Sequence, residues 1–208
     1  MANANNATGL TPVRHLSGAP WNGQTIKCWI PTTYGTSLYV GTPVILGGSA
    51  NTDGTLPTIA IASAGAGNSI FGVITAFDEL PTNLGKTYWA ASDTPGRGCY
   101  VCCDPTVLYE VQGNSAGVIA ATDVGALAAL VVTSGGSTVT GLAGWELNYT
   151  GIATTNTLQV RIMGASSRTD NDITAIYAKW LVLINLNQLF TSASNASAGS
   201  TYLGAVGV

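Results

Sequence analysis

Charge is what this chain has least of. Lys, Arg, Asp and Glu make up 8% of its 208 residues, and there is one histidine. A soluble monomer ordinarily keeps about a quarter of its residues charged, because hydrated charges hold its surface in water. The seven basic residues are scattered, so no cluster can neutralise several phosphates, and nucleic acid is not an expected partner. Long hydrophobic runs are missing as well. The most apolar stretches, GALAALVV (125–132) and WLVLI (180–184), fall far short of the roughly 20 residues a bilayer requires, so no membrane partner is expected. The opening MANANNATGLTP has no basic region followed by an apolar one, and no secretory signal is expected. Against these deficits, 46% of residues are hydrophobic and the mean hydropathy is +0.31. A chain this apolar, with net charge −3, is expected to bury much of its outside against other protein. It reads as an assembly component before it reads as an enzyme.

At this length one large β domain can bury roughly 70% of its unfolded surface without disulfides. Residues 1–11 are polar, Asn/Ala-rich and without period, and are expected to form a flexible arm. From there, runs rich in Val, Ile, Thr, Tyr and Trp recur between Gly, Pro, Asn and Asp clusters, the pattern of an all-β sandwich or barrel. Strands are expected at 25–30, 36–46, 57–62, 69–77, 86–91, 98–103, 106–112, 130–133, 157–164 and 178–186, with a hairpin turn at Asp53-Gly54. In TLQVRIM (157–163), Leu158, Val160 and Ile162 share one face, and Gln159 and Arg161 the other. One short helix is expected within 122–130, and residues 191–208 read as a C-terminal linker and arm after a single domain at 12–190. The strand count favours a Greek-key or jelly-roll-like sandwich. The alternative is an SH3- or OB-like barrel over 25–112 with an appended β subdomain.

No constellation carries catalytic chemistry. Gly65-Ala66-Gly67 superficially matches a dinucleotide fingerprint, but Ile70 stands where the third glycine belongs and a β pattern follows, so a glycine-rich hairpin is expected and no cofactor. Cys99 and Cys102 have a metal-knuckle spacing without a second pair, and Cys28 is remote; these thiols and Cys103 are expected to be buried structural residues, with no metal. They fit a reducing cytosol. His15 is the only imidazole through which nucleophilic catalysis could run, and it lies beside Arg14 near the N-terminal arm. Asp78-Glu79 and the Asp170/Asp172 pair read as solvated turns. The sequons at Asn6, Asn148 and Asn195 carry no meaning without secretion.

The opening NANNATGLTPVRHLSGAPWNG resembles the N-termini of head decoration (cement) proteins of tailed bacteriophages. SLYVGTPVILGGSANTDG, PTIAIASAG, SIFGVITAF, CYVCCDPTVLYEVQ, TGLAGWELNYT and AKWLVLIN resemble the same family, in order, over about residues 5–188. The family implies a small, mostly β, non-enzymatic protein on the outside of an assembled capsid. There it bridges neighbouring major capsid protein subunits, at local twofold or threefold axes, and braces the shell against packaged DNA. The cysteine-rich stretch 99–103 and the tail 191–208 depart from the family pattern.

Charge scarcity agrees with that role, since interface cores are depleted in charge where desolvation is costly. The expected partners are the major capsid protein and further copies of this chain, as a homodimer or homotrimer, with assembly in the host cytoplasm and residence on the virion surface. Trp21, Arg14 and His15 near the N-terminal arm, and Tyr202 and Leu203 in TYLGAV (201–206), are the expected interface residues, with TYLGAV a candidate added strand. Trp180 alternates with Val182 and Ile184 and is expected in the core. Rival readings are another virion subunit, coat or tail, and a carbohydrate-binding β-sandwich whose aromatic platform would lie at TYWAAS (87–92).

Overall fold

Local turn chemistry sets the first hairpin. Asn51 folds its side chain over the turn, its Oδ1 accepting from the amides of Thr55 and Leu56, while Gly54, at φ +70°, donates to the Asn51 carbonyl. The strands on either side are β3 (Pro43–Ala50) and β4 (Pro57–Ile61). The computed structural model, which describes residues 3–189, places them in an all-β chain.

Three further strands, β2 (Ile26–Ile30), β5 (Gly72–Phe77) and β6 (Arg97–Cys102), complete a closed barrel in the order β2-β4-β3-β5-β6. Four of its seams are antiparallel. The fifth, β2 against β4, is parallel and holds a single register pair, Trp29 with Thr58. Inward-facing Cys28, Ile30, Val44, Ile59, Ile74, Cys99 and Val101 fill the barrel together with Leu38, Phe71 and Trp89.

The second unit is an antiparallel sheet in the order β1-β7-β12-β11-β8, from Thr11–His15, Val107–Gln112, Lys179–Ile184, Val160–Ala165 and Leu127–Ala128. A two-stranded sheet of β9 (Leu130–Ser134) and β10 (Gly144–Leu147) packs with it. Alternation places Trp180, Val182 and Ile184 of β12, Val160 and Ile162 of β11, and Val107, Tyr109 and Val111 of β7 in one core. That core also contains Tyr39, Ala62, Ile70, Val73 and Cys102 from the barrel side, so barrel and sheet share apolar packing.

The all-β class is as expected. The strand order includes a closed barrel within 25–112 joined to further β sheets, as in the alternative expectation, and it does not establish jelly-roll connections. Of the strand expected at 86–91 only the isolated bridge of Trp89 to Leu38 forms, and three further local expectations are corrected. The run 36–46 is not one strand: Gly41, at φ +88°, turns the chain, and regular pairing begins only at Pro43. The helix expected within 122–130 is a 3-10 turn, Ala121–Asp123, because Gly125 adopts φ +94° and the chain enters β8.

The N-terminal segment is the third. Residues 3–10, expected to form an arm with the rest of 1–11, lie against the β unit. Asn3 donates to the carbonyls of Asp172 (2.8 Å) and Ile176 (3.0 Å), Asn6 donates its amide to Gln112 Oε1 (2.9 Å), and Leu10 is fully buried. Gly9 passes so close to the Gly41 carbonyl that a Cβ there would sit 2.3 Å from its oxygen. The expected C-terminal arm, 191–208, lies outside the described residues, and with it Tyr202 and Leu203.

Candidate docking surface

The sequence-predicted interface residues at the N-terminus fall on one hairpin. β1 turns back at 16–19, where His15 donates its amide to the Ala19 carbonyl (2.8 Å) and Gly18, at φ +92°, donates to His15 (2.9 Å). The return leg brings the Trp21 amide to the Val13 carbonyl (3.2 Å), so the outer edge of β1 is partly covered by its own chain. Pairing of β1 with β7 sets His15 opposite Val107 and lets Leu16 donate to the Thr106 carbonyl at 2.7 Å. The hairpin tip therefore stands beside the 103–106 turn.

That turn forms one wall of an open groove of about 340 Å³, lined by Gln24, Thr25, Ile26, Cys103, Asp104, Pro105 and Leu189. Ile26 is 40% exposed and Leu189 52%; Leu16, bonded to the Thr106 carbonyl, is 49% exposed. Each of these residues is of a type usually covered by protein. Cys103 is half-buried, and burial pushes its thiol up from the ordinary range. Asp104 is the one charged lining residue, and its Oδ1 already accepts from the amide and hydroxyl of Thr106, both at 2.7 Å. A partner covering this groove desolvates little charge.

The predicted residues occupy unlike positions around it. Arg14 is exposed on β1. His15 is half-buried, with Nδ1 3.1 Å from Thr106 Oγ1 and 3.4 Å from Asp104 Oδ2. Both contacts fall on the same ring nitrogen. A catalytic relay needs carboxylate and nucleophile on opposite nitrogens, so this cluster positions the turn rather than activating the hydroxyl. Trp21, expected as an exposed anchor, is half-buried with its ring packed on the common core, its indole N–H enclosed without a hydrogen-bond partner among the described residues. Leu16 and Ile26, by contrast, are exposed. Trp180 is fully buried, as expected.

Other places where chemistry was looked for have structural uses. The amides of Gly65 and Gly67, which a phosphate would need, donate to Gln159 Oε1 (2.9 Å) and the Thr157 carbonyl (2.7 Å). Cys28, Cys99 and Cys102 are fully buried in the two cores. Among the described residues, no group of three His, Cys, Asp or Glu side chains could hold a metal ion. Asp78 pairs with Lys27 at 2.7 Å, Asp170 with Arg168 at 2.9 Å, and Asp172 Oδ1 accepts from the Thr174 amide and hydroxyl. At 87–92 Trp89 is fully buried and Tyr88 stacks on Tyr39, with ring centroids 5.3 Å apart, so the aromatic platform a sugar would need is not displayed there.

A small polar cleft of about 90 Å³ lies where the N-terminal segment meets the 168–179 loop. Arg168 there faces Asp170 and Glu110, and Lys179 Nζ lies 3.8 Å from Glu110 Oε1. Two cations meet two carboxylates, leaving no net charge to recruit an ion.

Sequence reasoning missed the buried polar groups that fix the loops. Gln159, placed by alternation on a polar face, is fully buried and uses all four of its hydrogen-bonding positions that the fold offers. Its Oε1 accepts from Gly65 and Leu130 (3.1 Å), and its Nε2 donates to the carbonyls of Ser63 (2.9 Å) and Asn68 (3.2 Å). Arg97, 6% exposed, donates to the carbonyls of Asp78, Tyr88 (3.1 Å) and Lys86 (3.0 Å) and lies over the Phe77 ring. Gln112 joins Asn5 (3.0 Å) to the buried Glu146 (2.7 Å), whose other oxygen is bonded by Thr133. Nothing in a single sequence distinguishes these residues from solvated ones.

Comparison of the chain with family models, with curated proteins and with solved structures finds no match to any of them.

Proposed function

We propose that this chain is a non-enzymatic capsid cement protein, docking on the outside of an assembled bacteriophage head and bridging neighbouring subunits of the major capsid protein. The observation that carries the reading is the apolar groove between Ile26, Pro105 and Leu189 on a chain with only 8% charged residues. The ordered resemblance of residues 5–188 to decoration proteins supports the same reading. A soluble protein gains nothing from exposing Ile26 and Leu189 around one groove unless something covers them. A repeated lattice of coat subunits would convert a modest contact at each copy into firm attachment, and contacts between copies as a homodimer or homotrimer would add to it.

The groove can be tested without unfolding the protein. Ile26→Asp and Leu189→Asp each place a carboxylate on an exposed side of the groove, so melting temperatures should stay near that of the parent chain. Binding to undecorated heads of the encoding phage should fall at least ~10-fold for each, about 1.4 kcal/mol, because a charge must then be desolvated on docking. Both variants binding like the parent would remove the groove from the reading.

A further inference from the structure

We propose that Cys28 and Cys99 form a latent cross-strand disulfide, a staple that peroxide closes inside the barrel. The proposal does not rest on capsid docking. Cys28 of β2 and Cys99 of β6 are register partners in an antiparallel pair without a bulge. Both side chains point into the barrel and are fully buried. The Gly98 carbonyl accepts from the Asp78 amide on the β5 side. Alternation then turns the Cys99 amide and carbonyl toward β2, which makes Cys28 and Cys99 a hydrogen-bonded pair. Such partners have Cα atoms about 5.5 Å apart, inside the range a disulfide spans. Both cysteines are free thiols here.

Burial governs when the bond forms. It pushes the Cys28 thiol up to about 12 and the Cys99 thiol higher still, so neither reacts while the barrel is shut. The barrel has a thin seam: β2 meets β4 at one register pair but meets β6 at five. Opening at β2–β4 admits water and oxidant while β2 stays aligned on β6. One thiol then loses its proton and its sulfur attacks peroxide; the O–O bond breaks, hydroxide leaves, and a sulfenic acid remains. The second thiolate attacks that sulfur, the S–O bond breaks, and a second hydroxide leaves. The two hydroxides and the two thiol protons make two waters, so both sulfurs are oxidised as the peroxide is reduced. The closed bond ties strands 71 positions apart in sequence and restrains the unfolded chain.

The test uses the full chain treated with hydrogen peroxide, then denatured, alkylated with N-ethylmaleimide and mapped by peptide mass spectrometry. The expected product is a Cys28–Cys99 linked peptide lighter by two hydrogens and cleaved by phosphine. The oxidised protein should melt several degrees higher, and the bond should form faster in mild urea that opens the barrel without unfolding it. A map with Cys28 and Cys99 separately alkylated or over-oxidised in all conditions would overturn the proposal. A bond from Cys28 to Cys103 or between Cys102 and Cys103 would overturn it equally.

Discussion

Gln159→Leu should lower the melting temperature by about 10 °C, although it replaces a polar residue just before β11 with one of similar size and greater hydrophobicity. The side chain accepts from the amides of buried Leu130 and of Gly65, and it holds the Ser63 and Asn68 carbonyls. Leucine fills the volume and satisfies none of these. A buried amide left without an acceptor costs about 1–3 kcal/mol, and the 63–68 loop loses its three bonds to the Gln159 side chain, so a total near 4 kcal/mol is expected. Gln159→Glu separates polarity from shape. It keeps the two acceptors but sets a carboxylate against two carbonyls in a site without solvent. Its folded-state pKa must then rise above the unfolded value, so stability is present at low pH and lost as pH rises. Thermal melts at pH 4 and pH 7 should therefore show Gln159→Glu closer to the parent at pH 4. An equal deficit at both values would mean that the hydrogen bonds are not what Gln159 supplies.

Arg97→Met should release the 78–96 connection. This segment has no regular strand of its own beyond the bridge of Trp89 to Leu38, and Arg97 fastens it at three carbonyls: Asp78, Lys86 and Tyr88. Burial pulls the guanidinium pKa down, while Asp93 and Asp78 oppose that shift. Methionine keeps the length and the contact with Phe77 but leaves three carbonyls without donors, a loss of about 3–5 kcal/mol. Much of it should appear as local opening. Trypsin should then cut after Lys86 in the variant under conditions where the parent resists, since the Lys86 side chain is largely covered and paired with Asp93. Arg97→Lys should behave alike, because a single ammonium cannot span the three acceptors. Resistance equal to that of the parent, with a melting temperature unchanged, would show that the other bonds, Trp89 with Leu38 and the Ser92 amide with the Tyr34 carbonyl among them, hold the connection without Arg97.

These two residues mark where the sequence could and could not be read. Val160 and Ile162, and Trp180, Val182 and Ile184, were legible because alternation is a local property of a half-buried strand. The closed barrel was less so. Its closing seam joins β2 to β4, which are separated by β3, and one pair of residues makes the connection. Gln159 alternates as a surface residue does, and only the loop packed over it makes it interior. The N-terminal segment looked free for a similar reason. Asn3, Asn5 and Asn6 are polar and aperiodic, yet their partners, Asp172, Ile176 and Gln112, stand more than a hundred positions away. Trp21, expected to be exposed, turns inward, while Leu16, Ile26 and Leu189 are exposed, and nothing local in the sequence separates these cases.

The cement reading is tested most directly by co-sedimentation of the purified chain with undecorated, expanded heads of the phage that encodes it, followed by thermal melting of the decorated particles. The account predicts saturable binding at a fixed number of copies per coat subunit and a shell that melts at a higher temperature once decorated. Failure to co-sediment, or binding that leaves shell melting unchanged, would contradict it.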